Sequence, residues 1–94
     1  MIEVGKKYYF MCHAYHHFIG EVVKITGKKE AVLKNVIRVY SCSRGWTEFF
    51  RDGAANDTVF TEWPDGTSLN DWFAVTPWNH PIPGGNRGGT SRKR

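Results

Sequence analysis

The sequence is short of cysteine, of long apolar runs and, at its C-terminal end, of acid. Its two cysteines, Cys12 and Cys42, are too few for a disulfide framework or a four-cysteine zinc ribbon. In a reducing compartment both read as small core residues. The longest early apolar run, Tyr8 to Cys12, cannot cross a bilayer, and no charged segment followed by an apolar stretch opens the chain. The expectation is a cytoplasmic protein without membrane contact. No internal repeat, nucleophile elbow or paired-carboxylate motif occurs, so the chain reads as a non-enzyme with no cofactor.

What is present is aromatic surface: four Trp, four Tyr and six Phe in 94 residues. With 40% hydrophobic and 23% charged residues, this composition folds as one domain instead of staying solvated. A core this small supplies modest stability, which a homo-oligomer or a bound ligand would supplement, and self-association is expected. The formal charge of +4 is unevenly placed. Residues 1–83 hold nine Lys or Arg against all nine Asp and Glu, whereas Gly84 to Arg94 holds Arg87, Arg92, Lys93 and Arg94 and no acid. This implies a neutral β domain over residues 1–83 and a basic, glycine-rich, disordered tail over 84–94.

Residue periodicity orders the domain. Lys6 to Cys12 is aromatic-rich and follows Gly5, as a strand would. Tyr15 to Thr26 places Phe18, Gly20 and Val22 on one face and His17, Ile19, Glu21, Val23 and Ile25 on the other; neither face is polar, which suits a strand bent at Gly20. Residues 27–30 turn into a third strand, Ala31 to Tyr40, making a hairpin. Trp46, Phe49 and Phe50 then recur at helical spacing, predicting a short helix over 46–51 capped by Thr47 and ended by Gly53. Thr58 to Trp63 and Trp72 to Thr76 read as strands, with a Pro64-Asp65-Gly66 turn between them, and Pro77, Pro81 and Pro83 hold the exit extended. The fold class is mainly β: a small SH3-like barrel or curled antiparallel sheet of about five strands with one short helix.

Three groups of residues carry chemistry. Cys12, His13, His16, His17 and His80 are metal-ligand types. On one strand, however, His13 and His17 would stand about 13 Å apart, and His16 and His17 would point to opposite faces, so no metal site is assigned. The segment Ser41-Cys-Ser-Arg-Gly45 precedes the helix start, where backbone N–H groups, the Ser41 and Ser43 hydroxyls and Arg44 would converge on an anion. The same residues also read as a plain loop before a helix, with Arg44 in solvent. Tyr15, Tyr40 and Trp46 are candidate rings for stacking a nucleotide base, with His16, His17 and Arg38 at the rim, and the alternative for each ring is core packing. The tail cations, Arg87, Arg92, Lys93 and Arg94, suit weak, salt-sensitive contact with nucleic-acid phosphates. A single-stranded nucleic-acid binder using this tail and exposed rings is the alternative to a pocket for a small anionic nucleotide.

Several segments together resemble a family of small tailed-phage and prophage proteins that carry a domain of unknown function. They are Tyr15-His-His-Phe-Ile-Gly-Glu-Val-Val23, the Val32-Leu-Lys34 strand, Arg44-Gly45-Trp46, Trp63-Pro-Asp-Gly66 and Thr76-Pro-Trp-Asn-His-Pro-Ile-Pro83. The resemblance covers most of residues 4–83. It departs where the family has Arg and Thr and this chain has Cys12, His13, His16 and His17. It implies a phage accessory protein working in the host bacterial cytoplasm. Such a protein would act by binding, either sequestering a nucleotide signal of host defence or blocking a host protein.

Overall fold

The computed structural model describes residues 2–13 and 16–84. Its order is β1 (Lys7–His13), β2 (His16–Gly27), β3 (Glu30–Ser41), α1 (Trp46–Asp52), β4 (Val59–Trp63), β5 (Thr67–Asn70) and β6 (Ala74–Pro77). All pairings are antiparallel, in the order β4-β3-β2-β1-β6, with β5 also on β3. The strands make a curled sheet that does not close into a barrel.

The β2–β3 hairpin organises the rest because each strand has 12 residues and serves two neighbourhoods. The first half of β3 pairs with β5 (Leu33 opposite Thr67) and the second half with β4 (Val36 opposite Trp63). Between them Asn35 has φ 53°, a left-handed conformation that Asn tolerates better than most residues, and its N–H is held by Asp65 Oδ1 at 2.8 Å. Asp65 belongs to the expected Pro-Asp-Gly turn, whose Gly66 N–H donates to Leu33 O at 2.8 Å. The turn therefore joins β4 to β5 and fixes where β3 changes partner. Opposite this point Gly20 lets β2 pass close to β3, since a Cβ there would lie 3.2 Å from Leu33 Cδ1.

Alternation along the strands builds two cores. Tyr8, Phe10, Phe18, Val22, Leu33 and Val36 lie on one face, enclosed by the curl and by Leu69 and Trp72. Tyr9, Ile19, Ile37 and Val39 lie on the other, covered by Phe49 of α1 and by Trp78 and Ile82 of the exit segment. The prolines of that segment hold it extended against the sheet. Lys7 Nζ donates to His80 O at 2.6 Å, and His80 Nε2 lies 2.9 Å from Phe50 O, fastening it to β1 and to α1.

Several expectations are corrected. There are six strands where about five were expected, because Thr67–Asn70, which the residue pattern leaves unassigned after the Pro64-Asp65-Gly66 turn, forms β5. The last strand is Ala74–Pro77; Trp72 precedes it and fills the first core. The helix begins after Gly45, which has no side-chain capping bond, so Thr47 is not its cap, while Gly53 ends it as expected by donating to Phe49 O at 2.9 Å. The basic tail from residue 85 onward lies outside the described residues.

Phe49 is fully buried between the sheet and Trp78. Phe49→Ala should cost about 3–5 kcal/mol, because the rigid sheet beneath cannot collapse into the space. Urea unfolding should show this as a lower midpoint at unchanged slope.

Candidate functional site

The register gathers the sequence-nominated residues at one end of the sheet. His17 pairs with Val39 and Phe18 with Arg38, so His16, His17, Arg38 and Tyr40 lie within a few residues of each other across two strands. Ser41 ends β3, and residues 42–45 lead directly into Trp46 at the start of α1. Tyr15 lies outside the described residues.

This end presents two ring surfaces on opposite faces. On the helix-covered face the Trp46 ring stacks on His17 at 5.2 Å and 13° between planes, while remaining 51% exposed. Below it sits Tyr9, with centroid distances of 5.9 Å to Trp46, 5.6 Å to Phe49 and 4.9 Å to Phe50. On the other face Arg38 pairs with Thr61 across the β3–β4 ladder, and its guanidinium carbon lies 4.6 Å from the centre of the half-exposed Tyr40 ring. Arg38 Nε is buried and has no hydrogen-bond partner among the described residues. The Tyr40 hydroxyl lies 3.4 Å from Thr61 Oγ1. Two of the four tryptophans, Trp72 and Trp78, are core; Trp46 is the most open of the remaining pair.

The loop before the helix is built differently from the expected anion corner. Arg44 Nη1 donates to Gly53 O at 2.5 Å, bracing the end of α1, and the Ser43 N–H faces the carboxylate of Asp57 at 3.4 Å. A carboxylate of the chain thus stands where a phosphate was expected. The Gly45 carbonyl accepts the first helical bond from Phe49 N–H, and a seven-residue helix aligns too few peptides to act as an anion site alone. The cation beside a half-exposed ring at this end of the sheet is Arg38, itself half-buried over Tyr40.

The histidines are arranged differently from a single-strand layout. The chain reverses after β1, and His13 pairs with His16 across the hairpin. Among the described residues no three His, Cys, Asp or Glu side chains come together as a metal site. A groove of about 720 Å³ lies at the opposite end of the sheet, where Lys6, Tyr8, Glu21, Val75, Pro77 and Trp78 are among its walls. Its Glu21 lies 3.7 Å from Lys34, and Lys7 on its wall is engaged by the exit segment, so it presents mixed charge.

Two features escaped sequence reading. Tyr9 is fully buried, yet its hydroxyl has no partner among the described residues. Burial, reinforced by Cys42, pushes its pKa well above the ordinary phenol range. Alternation alone marks Tyr9 as inward but does not show an orphan hydroxyl. The other feature is the contrast between the two free thiols. Burial and the charge of Asp71 push Cys12 up. At Cys42 partial burial acts in the same direction, but hydrogen bonds from Thr58 and from the Arg44 and Ala55 amides outweigh it and lower the pKa.

No protein-family model, curated protein or solved structure matches this chain. Among the described residues no helix is long and apolar enough to cross a membrane.

Iodoacetamide should therefore label Cys42 faster than Cys12 near neutral pH, with Cys42 reaching its maximal rate at lower pH; equal rates in peptide mass spectrometry would contradict the hydrogen-bond account. Tyr9→Phe should raise stability by about 1–3 kcal/mol, since the buried hydroxyl gains nothing in the fold. The Tyr9 pKa is raised on folding, so its contribution is intact below the unfolded phenol value of 10.0 and is lost as pH rises past it. The stability advantage of Tyr9→Phe over wild type should consequently widen above that pH in urea titrations.

Proposed function

We propose that this protein is a non-catalytic binder of an anionic nucleotide, held at the β2–β3 end of the sheet. The carrying observation is Arg38 over Tyr40: a guanidinium and a half-exposed ring in contact, with the Trp46–His17 stack around the same rim. A nucleotide needs a flat apolar surface for its base and a fixed cation for its phosphate, and stacking on a protein ring contributes about 1–3 kcal/mol per base. Tyr40 supplies the ring on the face where Arg38 supplies a phosphate contact through the guanidinium edge not facing Tyr40, and Trp46 offers a second ring on the opposite face. His16 is exposed beside them. Ser41 and Gly45 border the site, while Ser43 and Arg44 support its loop from within.

The resemblance to small tailed-phage proteins makes sequestration of a host signalling nucleotide the biological form of this reading. A sequestering protein requires a preformed surface and no chemical step. That role places it in the cytoplasm of the infected bacterium.

The test is thermal. A panel of linear and cyclic adenosine and guanosine nucleotides should include one that raises the wild-type melting temperature in proportion to its saturation. Arg38→Ala should abolish that rise while lowering the unliganded melt only slightly, through loss of the half-exposed contact with the Tyr40 ring. Heating the complex and assaying the released nucleotide should return it unaltered. A changed product would replace sequestration by catalysis, and a panel without any shift would overturn the reading.

A further inference from the structure

We infer that Cys42 is a site of reversible oxidation by hydroperoxides, whose sulfenic acid is held by a ready-made set of hydrogen-bond donors and completed by the buried Tyr9 hydroxyl. The inference is independent of nucleotide binding. Cys42 lies in the loop between β3 and α1, half-buried against the second core, to which Tyr9 belongs. Thr58 Oγ1 lies 3.3 Å from its sulfur, and the Arg44 and Ala55 amides donate to the same atom. Two loops distant in the chain thus bring three donors to one sulfur. Donors so placed favour the thiolate, which is the form that reacts. The Asp57 carboxylate opposes them by its charge, but its Oδ1 faces the Ser43 N–H at 3.4 Å and the balance at Cys42 stays with the thiolate.

Tyr9 supplies the second observation. Its side chain is fully buried, and its hydroxyl has no hydrogen-bond partner among the described residues. Cys42 is the group whose charge acts on that hydroxyl, so the two share one neighbourhood, yet Sγ is not within hydrogen-bonding reach of it. A buried donor left without an acceptor is costly. An oxygen added to the sulfur moves the acceptor outward by a bond length and is a stronger acceptor than sulfur itself. Oxidation therefore gives the orphan hydroxyl a partner that the reduced protein lacks.

The chemistry is a simple displacement. The Cys42 thiolate attacks one oxygen of hydrogen peroxide; the S–O bond forms as the O–O bond breaks, and sulfur gives up an electron pair. The other oxygen departs as hydroxide, which takes a proton from solvent to become water. A sulfenic acid is normally consumed by a neighbouring thiol. Here Cys12 packs against the first core, on the opposite face of the sheet. No disulfide within the chain competes, and the acid persists until an external thiol reduces it.

The experiment treats the full-length protein with hydrogen peroxide in the presence of dimedone, which traps sulfenic acids, and quantifies both cysteine peptides by mass spectrometry. Cys42 should carry the adduct severalfold ahead of Cys12. Thr58→Val should slow its formation severalfold, and Thr58→Ser, which keeps the hydroxyl, should react at the wild-type rate. Without dimedone, dithiothreitol should remove the added oxygen from Cys42. Melting of the peroxide-treated protein then tests the Tyr9 contact, with Cys42→Ser as the background for methionine oxidation. Oxidation should raise the wild-type melting temperature relative to that background and give no rise in Tyr9→Phe, with circular dichroism confirming that each variant folds. An adduct shared equally by the two cysteines, a Thr58→Val rate equal to wild type, or an oxidised Cys42 that dithiothreitol leaves unchanged would each overturn the reversible site. A wild-type melt lowered by oxidation, or a rise that Tyr9→Phe retains, would overturn the part assigned to Tyr9.

Discussion

The structure depends on a layer of aromatic rings centred on Tyr9. Its ring meets His17, Trp46, Phe49, Phe50 and Trp78, so one β1 side chain joins the sheet, the helix and the proline-held exit segment. A helix of seven residues has little stability of its own and persists because packing replaces what its few backbone bonds cannot supply. The layer also holds Trp46 flat against His17 with half of its surface open. The buried Tyr9 hydroxyl opposes this stability, but the ring contacts around it dominate.

The loop before the helix shows how the same residue types serve different ends. Two serines, a glycine and an arginine before a helix suggest an anion cradle. Here Arg44 braces the far end of that helix through Gly53, and Asp57 faces the Ser43 amide. A carboxylate already facing the loop makes a second anion unfavourable. One strand away Arg38 sets its guanidinium over Tyr40, with its buried Nε without a hydrogen-bond partner among the described residues.

Much of the fold is legible in the chain. Alternation around Phe18, Gly20 and Val22 marks the two faces of β2 and the bend between its halves, and Gly27-Lys28-Lys29-Glu30 marks the hairpin. The spacing of Trp46, Phe49 and Phe50 marks the helix, and Gly53 its end. What escaped was β5, because Thr67–Asn70 is polar apart from Leu69 and becomes a strand only where β3 offers it an edge. Arg38, Tyr40, His16 and Trp46 were named for their chemistry, but their meeting at one rim rests on pairings between residues more than twenty apart in the chain.

By itself the sequence determined the class of fold and the uneven placement of charge along the chain, because periodicity, charge and ring count are local or additive properties. Only the tertiary structure decided that Arg44 braces the end of the helix while Arg38 lies over Tyr40, and that Tyr40 and Trp46 stand on opposite faces of one sheet end. Those outcomes are set by strand register and by the approach of distant segments such as Asp57 and Gly53. Such contacts arise from the closing of loops, and no window along the chain contains them.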